Sequence, residues 1–310
     1  MIRVLLYGFL VGGLSFIAGC GSNPETSSEA PFATLTDGLG RTVIMEQPPE
    51  RVVSIAPGAT HVVRAAGGIS SLVGVTTADY DADDLSHLPR VSALPLDLEA
   101  IVALDPDLVL ASDQVNDPSH ANLFEALDIP MIYLGSDSWE DVRDSIVMTG
   151  TILGSREEAI AAADSLESSR NDLISLTGSI PSPPSAIFLV SPIRSYSFGK
   201  GSYVLDLMRW AGLDPLTAEF DTPAPVLDDE WVLLSNPDII VGAFGEGDAV
   251  EALLSNHPTW RSLDAVRKGR IINVPVPLIL TPGPDNVRAA WHMARAAHPE
   301  LFESTERAAR

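Results

Sequence analysis

The residues around Cys20, the only cysteine of the chain, favour one covalent chemistry, the attachment of a lipid. Residues 17–20, Ile-Ala-Gly-Cys, match a lipobox, in which an aliphatic residue and two small residues precede the cysteine. Arg3 and the uncharged apolar residues 4–17 match the first two regions of a signal peptide, and this run is too short for an ordinary transmembrane helix. The sequence therefore predicts a lipoprotein signal peptide at 1–19 and lipidation of Cys20. A signal peptide followed by an incidental cysteine is the alternative.

The motifs that enzymatic chemistry would need are missing from the sequence. There is no Gly-x-Ser-x-Gly turn and no His-Glu-x-x-His pair, and the six histidines show no metal-ligand spacing. Residues 198–202 superficially match a phosphate loop, but Gly201 stands where that loop requires Ser or Thr. We therefore predict a protein that is not an enzyme and has no intrinsic cofactor or certain metal site. A secreted α/β enzyme or a surface scaffold lipoprotein is the alternative.

The charge of the chain excludes one class of partner. The formal net charge is −23 at pH 7, and Lys200 and Lys268 are the only lysines. Nucleic-acid binding needs a basic surface, which this composition does not supply. The acidic residues instead predict a solvated, self-repelling surface. We expect a monomer that binds no nucleic acid.

Hydrophobic patterning divides the chain into a tether, two folded parts and a polar tail. Residues 20–34 are polar and rich in Pro and Ser, which predicts a flexible tether. Short β-branched runs then alternate with helical patterns at 35–137 and again at 181–302, and residues 303–310 are polar. Such alternation predicts α/β lobes with mainly parallel sheets. Predicted strands lie at 51–55, 72–75, 107–111, 131–134, 186–190, 238–241 and 270–274.

The segment between the two series, residues 138–180, shows helical patterns only. Residues 157–176 are rich in strong helix formers, and Ser155 with Glu158 matches a capping box at the start of this helix. The sequence therefore predicts two α/β lobes joined by a single long backbone helix.

An internal repeat relates the two lobes. Residues 97–112 align without gaps with residues 228–243, at an offset of 131 residues. Each copy predicts a short helix, a Pro-Asp turn and a buried strand. In each copy a glutamate, Glu99 or Glu230, lies seven residues before the proline. Any helix–turn–strand unit could share the apolar pattern, but the coinciding acidic positions favour a true repeat.

Several short segments occur in a specific order and spacing between residues 35 and 300. They are 37–43 (DGLGRTV), 49–57 (PERVVSIAP), 72–75 (LVGV), Glu99 with 106–109 (PDLV), and 257–260 (HPTW) with 269–271 (GRI). In this order the chain resembles the class III (cluster A) periplasmic binding proteins, which carry vitamin B12, siderophores and haem to ABC importers. The resemblance implies two lobes bridged by one rigid helix, with the ligand in the cleft between them.

The resemblance also implies partners and a location. In this family one acidic residue on each lobe docks against arginines of the permease, and Glu99 and Glu230 hold those positions here. Charge complementarity of this kind sets orientation and association rate. The alternative is that each glutamate only interacts with its own helix dipole. The expected partners are an ABC permease dimer with its ATPase and a ligand that contains cobalt or iron, at a lipid-anchored, extracytoplasmic location.

The expected cleft lies on the loops that follow the carboxyl ends of strands. These loops are 56–60, 76–80, 112–116, 194–200 and 275–282. Aromatic, basic and imidazole side chains on them could stack on a planar ligand, pair with its carboxylates or ligate its metal. The candidates are Tyr80, His61, Arg194, Tyr196 and Lys200. Alternatively, Tyr196 lies in a strand core and His61 is an ordinary polar residue at a helix start.

Two departures from the family's pattern leave the ligand open. Vitamin B12 binders carry a tryptophan six residues before the docking glutamate, and Ala93 and Ala224 stand at those positions here. The charged pair expected near the last loop is missing, because Pro277 and Thr281 lie there. Cobalamin in its usual pose is therefore in doubt, and a siderophore or haem remains open.

Overall fold

A computed structural model describes residues 30–79 and 83–302. The first lobe contains an antiparallel hairpin, five parallel strands and four helices. Its strands are β1 (Ala33–Thr36), β2 (Thr42–Met45), β3 (Val52–Ser54), β4 (Leu72–Thr76), β5 (Arg90–Val91), β6 (Leu108–Ser112) and β7 (Met131–Leu134). Its helices are α1 (Pro57–Ala65), α2 (Leu98–Val102), α3 (His120–Glu125) and α4 (Trp139–Ile152). Strand β1 begins inside the segment predicted to be a tether.

The second lobe repeats the α/β design after one long helix, α5 (Arg156–Thr177). Its strands are β8 (Ser185–Leu189), β9 (Asp214–Pro215), β10 (Ile239–Gly242) and β11 (Ile271–Asn273). Its helices are α6 (Tyr203–Trp210), α7 (Asp229–Ser235), α8 (Ala249–Asn256), α9 (Asp264–Arg267), α10 (Val276–Ile279) and α11 (Asn286–Ala297). The strand orders are β5-β4-β3-β6-β7 and β11-β10-β8-β9, all parallel, which confirms the predicted fold class.

Both sheets are covered on both faces. In β6, Leu108 and Leu110 lie in one hydrophobic cluster, while Val109 and Ala111 lie in the cluster on the opposite face. Successive side chains of a strand point to opposite faces, so a central strand between two helix layers must be apolar throughout. That requirement explains why the continuous apolar runs predicted these strands correctly.

Helix α5 is the bridge between the lobes. Ala159 and Ala163 are buried in the core of the first lobe, whereas Leu173 is buried in the core of the second. Its 22 residues span about 33 Å. Helix α4, by contrast, buries Trp139 and Ile146 in the core of the first lobe, and the Trp139 ring also meets the edge of Trp210 from α6. The single long bridging helix is confirmed.

The capping box predicted at Ser155 is wrong. Ser155 is the residue before α5, but its side chain caps no amide; its Oγ donates to the Ala66 carbonyl oxygen at 2.5 Å instead. That contact joins the start of α5 to the end of α1, so a tertiary hydrogen bond has replaced the local one. A capping box does form on α4, between Ser138 and Asp141.

The repeat is present in the structure with the same local chemistry in both copies. Asp97 accepts a hydrogen bond from the Ala100 amide at 3.0 Å, and Asp228 accepts one from the Trp231 amide at 2.7 Å. After the Pro-Asp turn, Asp107 accepts from the Arg51 amide, before β3. Asp238 likewise accepts from the Ser185 amide, at the start of β8. The repeated aspartates thus cap a helix and tie down the neighbouring parallel strand.

Candidate ligand cleft and docking surface

The loops that follow the carboxyl ends of the strands contact one another, both within the first lobe and across the two lobes. Thr60 Oγ1 lies 3.0 Å from Asp79 Oδ2, which joins the loops after β3 and β4. Asn116 Nδ2 donates to the Ile55 carbonyl oxygen at 3.2 Å, which joins the loop after β6 to them. Gly58 at the start of α1 approaches Pro282 of the second lobe so closely that an added Cβ would lie 2.5 Å from the Pro282 carbonyl oxygen.

His61 lies at this contact between the lobes. The side chain is buried on α1, and its Nδ1 lies 3.3 Å from Asp285 Oδ2 of the second lobe, without the angle of a hydrogen bond. Burial lowers the pKa of His61, and the field of Asp285 opposes that effect only in part. The ring is therefore neutral at pH 7. It faces a carboxylate of the opposite lobe.

The three candidates on the loop after β8 differ in their surroundings. Arg194 is exposed and, among the described residues, makes no ion pair. Tyr196 is 42% exposed and pairs with Val226 in an antiparallel bridge. Lys200 is exposed and pairs with Asp221 at 3.1 Å. Arg194 and Tyr196 thus present free surface beside one another, whereas the Lys200 ammonium already has a partner.

Two other predicted site residues, Cys20 and Tyr80, lie outside the described residues. Their roles stay predictions. The loop that carries Tyr80 is described up to Asp79.

A pocket between the lobes involves a loop that the sequence reasoning missed. It adjoins a second, smaller pocket. Both pockets are lined by Ser136 from the loop after β7 and by Gly283 before α11. Trp139, Tyr203 and Trp210 give the larger pocket aromatic walls. Residues 135–138 follow the carboxyl end of β7, which the sequence predicts as a strand. The rule that ligands bind on such loops therefore applies to this loop as well.

Asp79 is a buried acid at the edge of the cleft. Its Oδ2 accepts hydrogen bonds from Thr60 Oγ1 and the Thr76 amide, while its Oδ1 has no partner. Burial raises the pKa of Asp79 to about 6, although Thr60 and the Thr76 amide act in the opposite direction. A carboxyl that resists ionisation beside a binding cleft is a typical feature of functional sites. The sequence reasoning included this loop but did not single out Asp79.

Asp79→Asn should change how the stability of the protein depends on pH. Folding raises the pKa of Asp79 from 3.8 to about 6, so its contribution to stability is present below pH 3.8 and lost as pH rises through 6. The variant lacks this loss, so its free energy of unfolding relative to the wild type should rise by on the order of 2 kcal/mol between pH 4 and pH 7.5. Denaturant unfolding at both pH values measures the difference. If the variant and the wild type differ in unfolding free energy by the same amount at both pH values, the raised pKa of Asp79 is contradicted.

Glu99 and Glu230 occupy matched positions on the surface. Each is exposed in the first turn of a short aspartate-capped helix, α2 or α7. Neither carboxylate makes an ion pair or a side-chain hydrogen bond with any of residues 30–79 and 83–302. Leu234, one helical turn after Glu230, is 80% exposed. The structure thus presents two unpaired carboxylates, one on each lobe.

The described residues contain neither a metal-binding cluster nor a membrane-spanning helix. No group of three or more His, Cys, Asp or Glu side chains there could hold a metal ion. No helix within the described ranges has the length and apolar character needed to cross a bilayer.

Comparisons with known proteins agree with this architecture. The chain is 25% identical to the uncharacterised ABC transporter substrate-binding lipoprotein YvrC of Bacillus subtilis, over 97% of this chain and 99% of that one. It is 25% identical to a cobalamin-binding protein of Halobacterium salinarum, over 86% of this chain and 74% of that one. A periplasmic haem-binding protein from Pseudomonas aeruginosa shares the fold, with a TM-score of 0.70 and 24% identity over 81% of this chain and 93% of that one.

A family model for periplasmic binding proteins matches residues 52–277, which include β3 to β11, helix α5 and the loops of both lobes. The match covers more than half of the chain and includes both halves of the repeat. The protein belongs to the periplasmic binding protein family.

Proposed function

We propose that this protein is the extracytoplasmic substrate-binding component of an ABC importer. The observation that carries the proposal is the matched pair of exposed, unpaired glutamates, Glu99 and Glu230, on equivalent helices of two lobes. A pseudo-symmetric pair of charges suits a permease made of two related subunits. The name of the Bacillus subtilis relative, an ABC transporter substrate-binding lipoprotein, supports this role.

We propose that the ligand is a metal-bearing organic complex, namely a corrinoid, a ferric siderophore or haem. Relatives and fold neighbours include a cobalamin-binding and a haem-binding protein. Arg194 and Tyr196 offer a free cation and a half-exposed ring on the cleft loop after β8. Such side chains could pair with ligand carboxylates and pack against a flat ring system. The metal is part of the transported ligand.

We also propose that Cys20 carries a lipid that anchors the protein to the membrane near its permease. The lipobox at residues 17–20 supports this, as does the word lipoprotein in the name of the relative. A single acyl chain gives only marginal membrane binding, and two or more chains give stable anchoring.

Ligand titration tests the proposed function. The purified mature chain is titrated with cyanocobalamin, haemin and a ferric hydroxamate, and binding is followed by the distinct absorption spectrum of each. We expect one of them to bind at one per chain and Arg194→Ala or Tyr196→Ala to weaken its binding at least tenfold, or about 1.4 kcal/mol. Lys268→Ala, which removes an exposed cation paired with Asp264, is the control and should bind normally.

Protein purified from its own host gives the second readout. Native mass spectrometry with metal analysis should find a cobalt- or iron-containing complex on the chain. If the host protein carries none and none of the three probes binds, the proposed ligand class is wrong.

A further inference from the structure

The docking helix of the second lobe is joined to a cleft loop by backbone hydrogen bonds. The Ser197 amide donates to the Pro225 carbonyl oxygen at 2.9 Å, and the Leu227 amide donates to the Ser195 carbonyl oxygen at 2.9 Å. A third bond joins the Gly199 amide to the Pro223 carbonyl oxygen at 3.0 Å. Residues 223–227 lead directly into Asp228, the cap of α7. The loop with Arg194 and Tyr196 and the start of α7 therefore form one ladder.

A chain of three side chains reinforces this ladder. Asp229, the residue before Glu230, has its Oδ1 3.0 Å from His257 Nδ1. On the other side of the imidazole, His257 Nε2 lies 3.5 Å from Ser195 Oγ on the cleft loop. A hydrogen bond between Nδ1 and the Asp229 carboxyl group orients the ring so that Nε2 faces the Ser195 hydroxyl. The chain thus connects the docking helix to the same loop by a second route.

The imidazole in the middle of this chain is held in place from several sides. His257 is 9% exposed and stacks on Trp260, with ring centroids 4.3 Å apart. Trp260 Nε1 donates to Asp229 Oδ1 at 3.0 Å, and Thr259 Oγ1 lies 3.4 Å from Asp229 Oδ2. A buried ring that is both hydrogen-bonded and stacked has one orientation, so it can transmit a displacement.

Among its described residues, the first lobe has no counterpart of the Asp229–His257–Ser195 chain of side chains. Leu98 occupies the position that aligns with Asp229. The residues before α2 bond to one another. The Asp97 amide donates to the Ser92 carbonyl oxygen, and Ser92 Oγ donates to the Pro95 carbonyl oxygen. Within the described part of the chain, no hydrogen bond joins residues 92–97 to a candidate cleft loop. The first lobe has a backbone link instead, because the Thr77 amide on the cleft loop after β4 donates to the Val91 carbonyl oxygen at 2.9 Å, next to the residues that lead to α2.

We propose that Ser195, His257 and Asp229 are positioning residues that couple the cleft loop 194–199 to helix α7, so that the two move as one unit. Ligand contact with Arg194 or Tyr196 would then displace Glu230. The docking surface of the second lobe would in this way report cleft occupancy to the permease. The signal to the permease rests on the proposed function, whereas the coupling between the loop and α7 is a property of the ligand-free protein.

The same three residue types form the catalytic triad of serine hydrolases, so nucleophilic catalysis is the competing interpretation. The surroundings of Ser195 favour positioning, because the residue is only 6% exposed and its carbonyl oxygen is committed to the ladder. Asp229 also divides its carboxylate among His257, Trp260 and Thr259.

Hydrogen exchange of the ligand-free mature chain tests the coupling. Loss of one hydrogen bond of about 0.5–1.5 kcal/mol should speed local opening about twofold to tenfold. We expect this acceleration in Ser195→Ala and His257→Ala, both in α7 and in residues 194–199, with α2 unchanged. His292→Ala is the matched control, because His292 is exposed in the same lobe and its ring bonds one backbone carbonyl oxygen, that of Asn273. Ser195→Ala removes only a hydroxyl, so it provides the test even where His257→Ala fails to fold.

Three outcomes would overturn the proposal. The first is faster exchange confined to α7 or to the loop alone, which would show that the two segments are not coupled. The second is an equal change in α2. The third is covalent labelling of Ser195 by a fluorophosphonate with release of fluoride, which would identify a nucleophile. Failure of cyanocobalamin, haemin and the ferric hydroxamate to bind would count against the proposed function, and the exchange result would still decide the coupling.

Discussion

Replacing Glu99 and Glu230 together with alanine should reduce uptake at least a hundredfold while ligand affinity stays nearly unchanged. Removing one partner of a buried, hydrogen-bonded charge pair costs about 2–5 kcal/mol, which is about thirtyfold or more for each site. Each single variant should lose less than the double variant, because the other lobe still docks. Charge reversal to arginine should be worse than alanine, since like charges would then meet. Uptake into vesicles that contain the permease and its ATPase, with a parallel ligand titration, measures both quantities.

The control must separate docking from the effect of a glutamate on its own helix dipole. Glu140 and Glu251 are suitable, because each is exposed in the first turn of a capped helix, α4 or α8. Glu140→Ala with Glu251→Ala should cost stability on the order of 0.3–1 kcal/mol per site and leave uptake normal. High salt should weaken wild-type docking more than the residual docking of the Glu99/Glu230 double variant. Normal uptake by that double variant would remove both glutamates from the docking surface.

The sequence was sufficient for the lobes, the bridge and the repeat because those features have local signatures. The apolar runs of β6 and β10 predict strands buried on both faces, and the Asp caps and Pro-Asp turns of the repeat mark equivalent helices. Helix α5 was predicted from its strong helix formers. Only the cap at Ser155 failed there, because the hydroxyl found a tertiary acceptor in Ala66.

The cleft was harder to predict because its contacts join residues that are distant in sequence. The sequence makes His61 a candidate metal ligand, yet its imidazole faces Asp285, more than two hundred positions later in the chain. The same holds for Ser195 and His257, whose pairing depends on how three loops fold against α7. No residue type or spacing marks such contacts in advance. The rule that ligands bind at the carboxyl ends of strands identifies the loops, but it does not identify which residues of those loops contact one another.

The contact between Gly58 and Pro282 leads to the second prediction. Gly58 lies in the first turn of α1, and the 281–286 loop of the second lobe is held rigidly by Asn286, which bonds the Leu278 and Thr281 carbonyl oxygens and the Gly283 amide. An added Cβ at Gly58 would lie 2.5 Å from the Pro282 carbonyl oxygen, closer than real Cβ atoms come to any neighbour. Neither partner is a flexible side chain. The clash can be relieved only by moving α1 or by separating the lobes.

Gly58→Val should therefore destabilise the protein by about 3 kcal/mol and change the spacing of the lobes, since overpacking against backbone costs 1–3 kcal/mol or more. Gly74→Ala is the control, because its added Cβ would also come close to a neighbour, at 2.4 Å, but meets the Leu104 side chain inside the first lobe. Leu104 is a side chain that can move aside, so only Gly58→Val should alter the distance between spin labels placed on the two lobes. That displacement should also lower ligand affinity, because the loops of both lobes would no longer close on the same ligand. An unchanged distance with full stability in Gly58→Val would show that the Gly58–Pro282 contact does not hold the lobes together.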